Sequence, residues 1–263
     1  MRWVQLKSKR EKVQDFVTYA VPFLSDDEKA FVKLHHSILV AANCEKIARC
    51  MSLNAYDTEL AWFIGLLHDI GRFAQLDTTK TFKDSDFFDH GVYAEIQLRK
   101  GLLDQFATGF VEIEDYETVY QAIGQHNKLS VRDDLSAREK LFCHIVRDAD
   151  VIDIFRQLAS YKVYIDGSQE MEEVRRSDIN DAVLQSFLRS RLVKHEDVKS
   201  KADCFLQWYA FVFGLHFTHS VKMVQADGYL RQMLQFRFLD GENIRKFEIV
   251  KCKVEEFLAN HSC

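Results

Sequence analysis

The sequence contains few residues that interrupt helices. Its 263 residues include one proline, Pro22, and ten glycines. A protein of many short strands and tight turns would need far more of both. We therefore predict an all-α protein. Apolar residues make up 47% of the chain and aromatic residues 13%, which is enough to bury one substantial core or at most two small ones.

Segments typical of membrane, secreted and nucleic-acid-binding proteins are also missing. No stretch approaches the roughly 20 consecutive apolar residues that cross a bilayer, and the start of the chain has no apolar core of signal-peptide type. The six cysteines form no CxxC pair, which argues against a disulfide framework and a zinc knuckle. The net charge of −5 argues against non-specific binding to nucleic acid or to an anionic membrane surface. We expect a cytoplasmic protein that does not attach to membranes.

Capping signals and apolar periodicity predict where the first helices lie. Apolar residues recur at helical spacing over residues 3–20. A capping box from Ser25 to Glu28 predicts the start of a second helix. Asp57 is the predicted N-cap of a third helix, which we expect to end near Gly71.

The middle of the chain combines a polar segment with further helices. Residues 75–89 are polar and have no regular period, so we predict a loop over a functional site. Short helices are predicted over residues 89–100 and 115–126. Ser136 and Glu139 repeat the capping-box pattern and predict the start of a long helix.

Six residues on or beside these helices have side chains that bind divalent metals. Neutral imidazole and carboxylate groups suit zinc, iron, manganese and related ions. Taken alone, each of the histidines is more typical of a hydrogen-bonded core or surface group than of a ligand. The candidates are His36, His68, Asp69, His90, His126 and Asp150.

The order and surroundings of these candidates resemble a known family. The order His, His-Asp, His, His, Asp, with the string GLLHDIGR at residues 65–72, resembles the HD-domain superfamily of metal-dependent phosphohydrolases. The resemblance covers about residues 30–160 and implies a helical bundle with a metal site at its centre. We therefore divide the chain into an N-terminal helical extension over residues 1–29, an HD core over residues 30–160, and additional C-terminal helices over residues 161–263 that pack on the same core.

The resemblance also implies how the ligands are shared between two metal ions. One ion would be bound by His36, His68, Asp69 and Asp150, and the second by His90 and His126, with Asp69 bridging the two. We favour manganese or iron, while zinc, cobalt, nickel and magnesium remain open. Some relatives have a second histidine where this chain has Asn127, and many have a lysine where it has Val151. No single subfamily is therefore indicated.

The implied function is hydrolysis of a phosphomonoester or phosphodiester bond in a small phosphorylated substrate, with nucleotides among the candidates. A divalent metal pair lowers the pKa of bound water and neutralises phosphoryl oxygens. Beside Asp69, the predicted catalytic residues are Arg72 and Arg147, because a guanidinium group can clamp a phosphate bidentately. A salt bridge to a nearby aspartate is the alternative role for both arginines. Lys80 and Lys83 could reach an anionic substrate or be merely solvated.

Two other functions stay open at this point. A few relatives with the same ligand order are mixed-valent di-iron oxygenases, and a helical scaffold could keep the metals only for stability or partner binding. The C-terminal helices could form a homodimer interface or complete the core. His216 and His219 have the spacing of a helix-borne metal pair, but their aromatic neighbours favour a packing role.

Overall fold

The computed structural model of the protein describes residues 7–24, 28–85, 87–160 and 169–261. These ranges are predominantly helical and contain no β-strand, so the prediction of an all-α protein is confirmed. Among the described helices, none is both long enough and apolar enough to span a membrane. The chain divides into two compact units, residues 1–150 and residues 151–263. The three-part division drawn from the sequence stays a prediction.

The first unit is built from α-helices. They are α1 (Lys9–Ala20), α2 (Glu28–Cys50), α3 (Ala55–Leu67), α4 (Ile70–Thr79), α5 (His90–Gln97), α6 (Leu103–Ala107), α7 (Tyr116–Gln125) and the part of α8 (Ala137–Ser160) up to Asp150. Helix α2 packs along α3, and α5 packs against α4 and α7. A side chain at Gly65 would collide with α2, since a Cβ there would lie 2.8 Å from Cα of Ala41. The missing side chain lets α2 and α3 approach closely.

Two boundaries predicted around α3 are wrong. The N-cap is Asn54, whose Oδ1 accepts the backbone N–H of Asp57 at 2.8 Å, so Asp57 lies in the first turn of the helix. The helix also does not end at Gly71. It ends at Leu67, and Gly71 lies inside the next helix, α4. A Cβ at Gly71 would lie 2.2 Å from the carbonyl oxygen of His90, so this glycine serves close packing of α4 on α5 rather than helix termination.

Other local signals have mixed outcomes. The capping box that starts α8 is confirmed, because the N–H of Ser136 donates to Glu139 at 2.7 Å and the N–H of Glu139 donates to Ser136 at 3.2 Å. The box predicted at Ser25 lies outside the described residues. The predicted loop over residues 75–89 is shorter than expected, because α4 continues to Thr79 and the chain leaves it at Lys80 with a φ of 58°.

The second unit has an aromatic core. Its helices are α9 (Gln169–Arg176), α10 (Asp181–Leu188), α11 (Lys201–Ala210), α12 (Thr218–Asp227), α13 (Tyr229–Met233) and α14 (Gly241–Asn260), preceded by the rest of α8. Phe205 packs on Tyr209 and Phe236 with ring centroids 5.1 and 4.6 Å apart. His216 and His219 are exposed and lie outside the core, and the ring of His216 packs on that of Phe217 with centroids 4.8 Å apart.

Local residues specify two turns of the second unit. Gly228 ends α12 with a φ of 72°, a conformation that favours glycine. Asp240 caps α14 by accepting the backbone N–H groups of Glu242 and Asn243 at 2.8 and 3.0 Å. Short-range chemistry is enough to specify such turns.

Candidate metal centre

The six candidate ligands come from five helices or helix junctions of the first unit. His36 lies on α2, His68 and Asp69 lie at the junction of α3 and α4, His90 begins α5, His126 follows α7, and Asp150 lies on α8. Among the described residues, their ligand atoms form three overlapping groups, and within each group all the atoms lie within 4.8 Å of one another. Packing therefore brings together all the metal ligands that the sequence suggested, although they are spread over more than a hundred residues.

One part of this cluster collects ligands from α2, the α3–α4 junction and α8. Nε2 of His36 lies 3.3 Å from Nε2 of His68 and 3.0 Å from Oδ1 of Asp150. Oδ2 of Asp69 lies 3.5 and 3.6 Å from the same two imidazole nitrogens. Two imidazoles and two carboxylates thus surround one position.

The other part of the cluster uses the second oxygen of the same aspartate. Oδ1 of Asp69 lies 3.2 Å from Nε2 of His90 and 3.6 Å from Nε2 of His126. These two imidazole nitrogens are 2.9 Å apart. The carboxylate of Asp69 therefore faces both parts of the cluster, with one oxygen toward each.

Hydrogen bonds on the far side of the imidazole rings favour metal-binding tautomers. Nδ1–H of His68 donates to the carbonyl of Gly65 at 2.8 Å, and Nδ1–H of His126 donates to the carbonyl of Ile123 at 2.7 Å. Nδ1 of His90 lies 2.8 Å from the carboxylate of Asp84. A proton on Nδ1 leaves a lone pair on Nε2.

The short distance between the Nε2 atoms of His90 and His126 indicates whether the cluster suits a metal ion. His90 and His126 direct two lone pairs at each other across 2.9 Å, which is repulsive unless a cation lies beside both nitrogens. Burial opposes a proton on His126, because it lowers the pKa of this imidazole to about 4. A buried set of imidazole and carboxylate donors, in which three of the imidazoles are held by an outer partner, suits a divalent metal.

The two carboxylates stay ionised although they are buried. Burial alone would raise the pKa of Asp69, but the nearby Lys33 and His68 outweigh it and hold this pKa well below its usual range. For Asp150, the neighbouring imidazoles of His36 and His68 likewise outweigh burial and lower the pKa. Both groups are therefore available as anionic ligands.

Asp84 supports this cluster, and the sequence reasoning gave it no role. Its carboxylate accepts the backbone N–H of His90 at 3.2 Å and holds the ring of His90 at Nδ1. It also accepts Gln75 Nε2 at 2.9 Å and Asn127 Nδ2 at 3.3 Å. No local sequence signal separates Asp84 from the other acidic residues of the polar segment.

Lys33 is a second residue that the sequence reasoning missed. It lies on α2, three residues before His36, and its Nζ is 2.7 Å from Oδ2 of Asp69. The spacing of three residues places Lys33 and His36 on one face of the helix. That spacing was the available signal, but a lysine is not a metal ligand, so a search for ligands does not find it.

The two arginines predicted to be catalytic have different surroundings. Arg72 lies beside the ligands, with Nε 3.4 Å from Asp69 and Nη1 donating to Gln75 at 2.7 Å. Nη1 also lies 3.3 Å from Asp84. Its salt bridges match the alternative role predicted for it.

The guanidinium group of Arg147 binds backbone carbonyls at and after the end of α7. Its guanidinium donates to the carbonyls of Gln125 at 3.1 Å, His126 at 3.3 Å and Leu129 at 3.3 Å, and also to that of Lys128. Burial lowers the pKa of Arg147. This geometry fastens the segment that carries His126, and the phosphate clamp suggested for Arg147 stays a prediction that its contacts do not favour.

The remaining candidates, Lys80 and Lys83, are exposed. Lys80 lies 3.6 Å from the exposed carboxylate of Asp77. Neither lysine has a contact with the ligand cluster among the described hydrogen bonds and ion pairs. Their suggested role in substrate binding stays a prediction.

Comparison with known families decides what this cluster belongs to. A family model described as HD domain matches residues 34–155, a range that includes all six candidate ligands. The chain contains an HD domain. Members of the HD-domain family are generally metal-dependent hydrolases, and the clustered histidines and aspartates of this HD domain suit a divalent metal. Comparisons with curated proteins and with solved structures gave no match.

Proposed function

We propose that the HD domain hydrolyses a phosphomonoester or phosphodiester bond of a small phosphorylated substrate, such as a nucleotide. The observation that carries this proposal is the placement of Asp69. Its two oxygens face two separate pairs of imidazole nitrogens, at 3.5 and 3.6 Å on one side and at 3.2 and 3.6 Å on the other. A carboxylate in this position can bridge two divalent ions, the arrangement suited to phosphate esters.

The residues that would hold the two ions are those of the two parts of the cluster. His36, His68 and Asp150 would hold one ion together with Asp69, while His90 and His126 would hold the second. When bound, the ions would lower the pKa of water and neutralise charge on phosphoryl oxygens. Manganese and iron are our preferred metals, because a mixed imidazole and carboxylate set accommodates both.

The protein itself contributes rigid ligands and an approach for the substrate. Backbone carbonyls and Asp84 fix the imidazole rings, so little reorganisation is needed when a substrate binds. The side chains of His36 and His68 are 0% exposed, whereas those of Asp150 and Arg72 are 18% and 16% exposed. A substrate therefore approaches from the side of Asp150 and Arg72. Nη2 of Arg72 has no hydrogen-bond partner among the described residues and can donate to a phosphoryl oxygen.

The test combines metal analysis with a comparison of substrates. Protein stripped with a chelator and reloaded with Mn²⁺ is assayed with p-nitrophenyl phosphate and bis(p-nitrophenyl) phosphate. We expect phosphate-ester cleavage that depends on the metal. In His68→Ala and Asp69→Ala, cleavage should fall by more than the roughly 10- to 100-fold that loss of an outer partner costs.

A matched control keeps this result specific. His219→Ala removes an exposed histidine outside the HD domain and should leave metal content and cleavage unchanged. Metal binding with unchanged cleavage in Asp69→Ala would defeat the proposal. Bound iron with oxygen consumption, and no ester cleavage, would favour the di-iron oxygenase instead.

A further inference from the structure

We propose that Lys33 contacts the anionic group of the substrate and makes the HD-domain site prefer a dianionic phosphomonoester over a monoanionic diester. This inference rests on the proposed function. It assigns a substrate-binding role to a residue that is not a metal ligand, and it chooses between the two ester classes that the ligand set alone leaves open.

The first argument is the place of Lys33 at the edge of the cluster. Its Nζ lies 2.7 Å from Oδ2 of Asp69, the oxygen that also faces His36 and His68. The side chain of Lys33 is 16% exposed, compared with 3% for Asp69. The partly exposed side chain of Lys33 thus ends at the buried carboxylate of Asp69, and it lies on the same side as the partly exposed Arg72, since both side chains lie beside the ring of Phe82.

The second argument is the number of donors that Lys33 keeps available. An ammonium group has three N–H donors. Among the described residues, Lys33 donates one hydrogen bond, to Asp69, and its Nζ also lies 5.6 Å from the ring centroid of Phe82. The aromatic face steadies the charge without using a donor. Two donors are left for an incoming anion.

Other cations near the cluster differ from Lys33 in the donors they have in use or in the group they contact. Arg147 donates to a row of backbone carbonyls, whereas Lys128 donates one hydrogen bond, to Asp89, which is not one of the candidate ligands. Arg72 keeps Nη2, but its Nη1 is bound to the polar segment around Asp84. Lys33 combines contact with a ligand carboxylate, partial exposure and two available donors.

The third argument concerns the cost of placing a lysine beside a metal site. A fixed positive charge repels a divalent cation, so Lys33 lowers the affinity for the metals that Asp69 binds. A phosphoryl anion bound between the metals and the ammonium group would offset this repulsion. Coulomb energy is proportional to the charge of the anion, so the gain for a dianion is about twice that for a monoanion. This difference is the basis for the predicted preference.

The experiment compares Lys33→Met and Lys33→Arg with the unaltered full-length protein. Lys9→Met is the matched control, because Lys9 is also 2.7 Å from a carboxylate, that of Glu45, and 5.2 Å from an aromatic centroid, that of Trp62. Each protein is loaded with Mn²⁺, and its metal content and Mn²⁺ affinity are measured first. Inorganic phosphate at pH 8 and dimethyl phosphate are then titrated by calorimetry as the dianionic and monoanionic probes.

In Lys33→Met we expect phosphate to bind about tenfold more weakly, which corresponds to the loss of one charged hydrogen bond. Dimethyl phosphate should lose only about threefold, because its charge is half as large. Affinity for Mn²⁺ should be unchanged or higher, since a repelling charge is removed. Lys33→Arg should recover most of the phosphate affinity, and Lys9→Met should behave like the unaltered protein.

Several results would overturn the inference. Phosphate affinity in Lys33→Met equal to that of the unaltered protein would do so, and so would an equal loss for both probes. Loss of Mn²⁺ from Lys33→Met would assign Lys33 to holding Asp69 instead of the substrate. If the unaltered, metal-loaded protein binds neither probe and cleaves no ester, the proposed function fails together with this inference. Ester cleavage with an unaffected Lys33→Met removes the inference alone.

Discussion

The two units of the protein bury polar side chains in different ways. In the second unit, buried Asp203 accepts the backbone N–H groups of Asn180, Lys199 and Ser200 at 2.8, 3.0 and 3.1 Å. In the first unit, the imidazoles of His90 and His126 instead direct Nε2 atoms at each other across 2.9 Å. The first arrangement is complete by itself, whereas the second needs a further positive group. This contrast indicates which buried polar residues serve the fold and which serve a site.

The largest expected effect is a loss of stability, without a loss of metal, when Asp203 of the second unit is substituted. Asp203→Ala removes the carboxylate that completes the capping box at the start of α11 and leaves part-buried backbone N–H groups without this acceptor. The free energy of unfolding should fall by about 2–4 kcal/mol, while the Mn²⁺ content of the folded protein stays the same. Denaturant unfolding and metal analysis measure the two quantities.

The control for this change is Asp227→Ala, at an exposed position of the same unit. It should alter stability by no more than about 0.5 kcal/mol. If Asp203→Ala removes the metal without lowering stability, the division between polar groups of the fold and polar groups of the site is wrong.

A second change sharpens the comparison within the first unit. Asp84→Asn keeps the size of the side chain but removes the charge that holds the ring of His90. Metal affinity should fall by about 10- to 100-fold, the usual result of losing an outer partner. The first ion to bind should be affected less than the second, because the contacts of Asp84 are with His90 and not with His36 or His68. A Mn²⁺ titration measures both steps.

Asp77→Asn is the matched control, since Asp77 lies in the same part of the chain and is exposed. It should bind metal as the unaltered protein does. An equal loss of both binding steps in Asp84→Asn would contradict the assignment of Asp84 to the His90 side of the cluster.

The last prediction compares the change in stability when one glycine of each unit is replaced by alanine. Gly71→Ala places a Cβ 2.2 Å from the carbonyl oxygen of His90, whereas a Cβ at Gly241 has no atom within 4 Å of it. Gly71→Ala should therefore lower the free energy of unfolding by about 1–3 kcal/mol. Gly241→Ala should be neutral or stabilise the protein by up to about 1 kcal/mol. Equal effects in thermal unfolding would show that the close packing of α4 on α5 is not needed.

Local signals in the sequence predicted much of the fold. Scarce breakers and apolar periodicity indicated the all-α class, and the capping box of Ser136 and Glu139 correctly placed the start of α8. Predictions were wrong where the same local sequence allows two interpretations. Asn54 and Asp57 are both good N-caps, and Gly71 can end a helix or allow close packing. Only the neighbouring helix, through the carbonyl of His90, decides the second case.

The sequence predicted the candidate metal ligands but not the residues that contact them. The resemblance to HD domains named all six residues that the structure gathers, because the family order is carried by short strings such as that around His68. It did not indicate Lys33 or Asp84, which are recognisable only by what they contact. The position of Arg147 near the ligands in sequence suggested a phosphate clamp, but its guanidinium donates to carbonyls about twenty residues away.

The sequence by itself determined that the protein is helical, that it contains an HD domain, and which side chains are available to bind metals. These properties depend on residue type, order and short spacing, which do not require knowledge of distant contacts. The tertiary structure decided that Asp69 presents one oxygen to each pair of imidazoles, that Asp84 holds His90, and that Lys33 contacts Asp69. Those properties depend on the direction of each side chain, which is set by how helices far apart in sequence pack together.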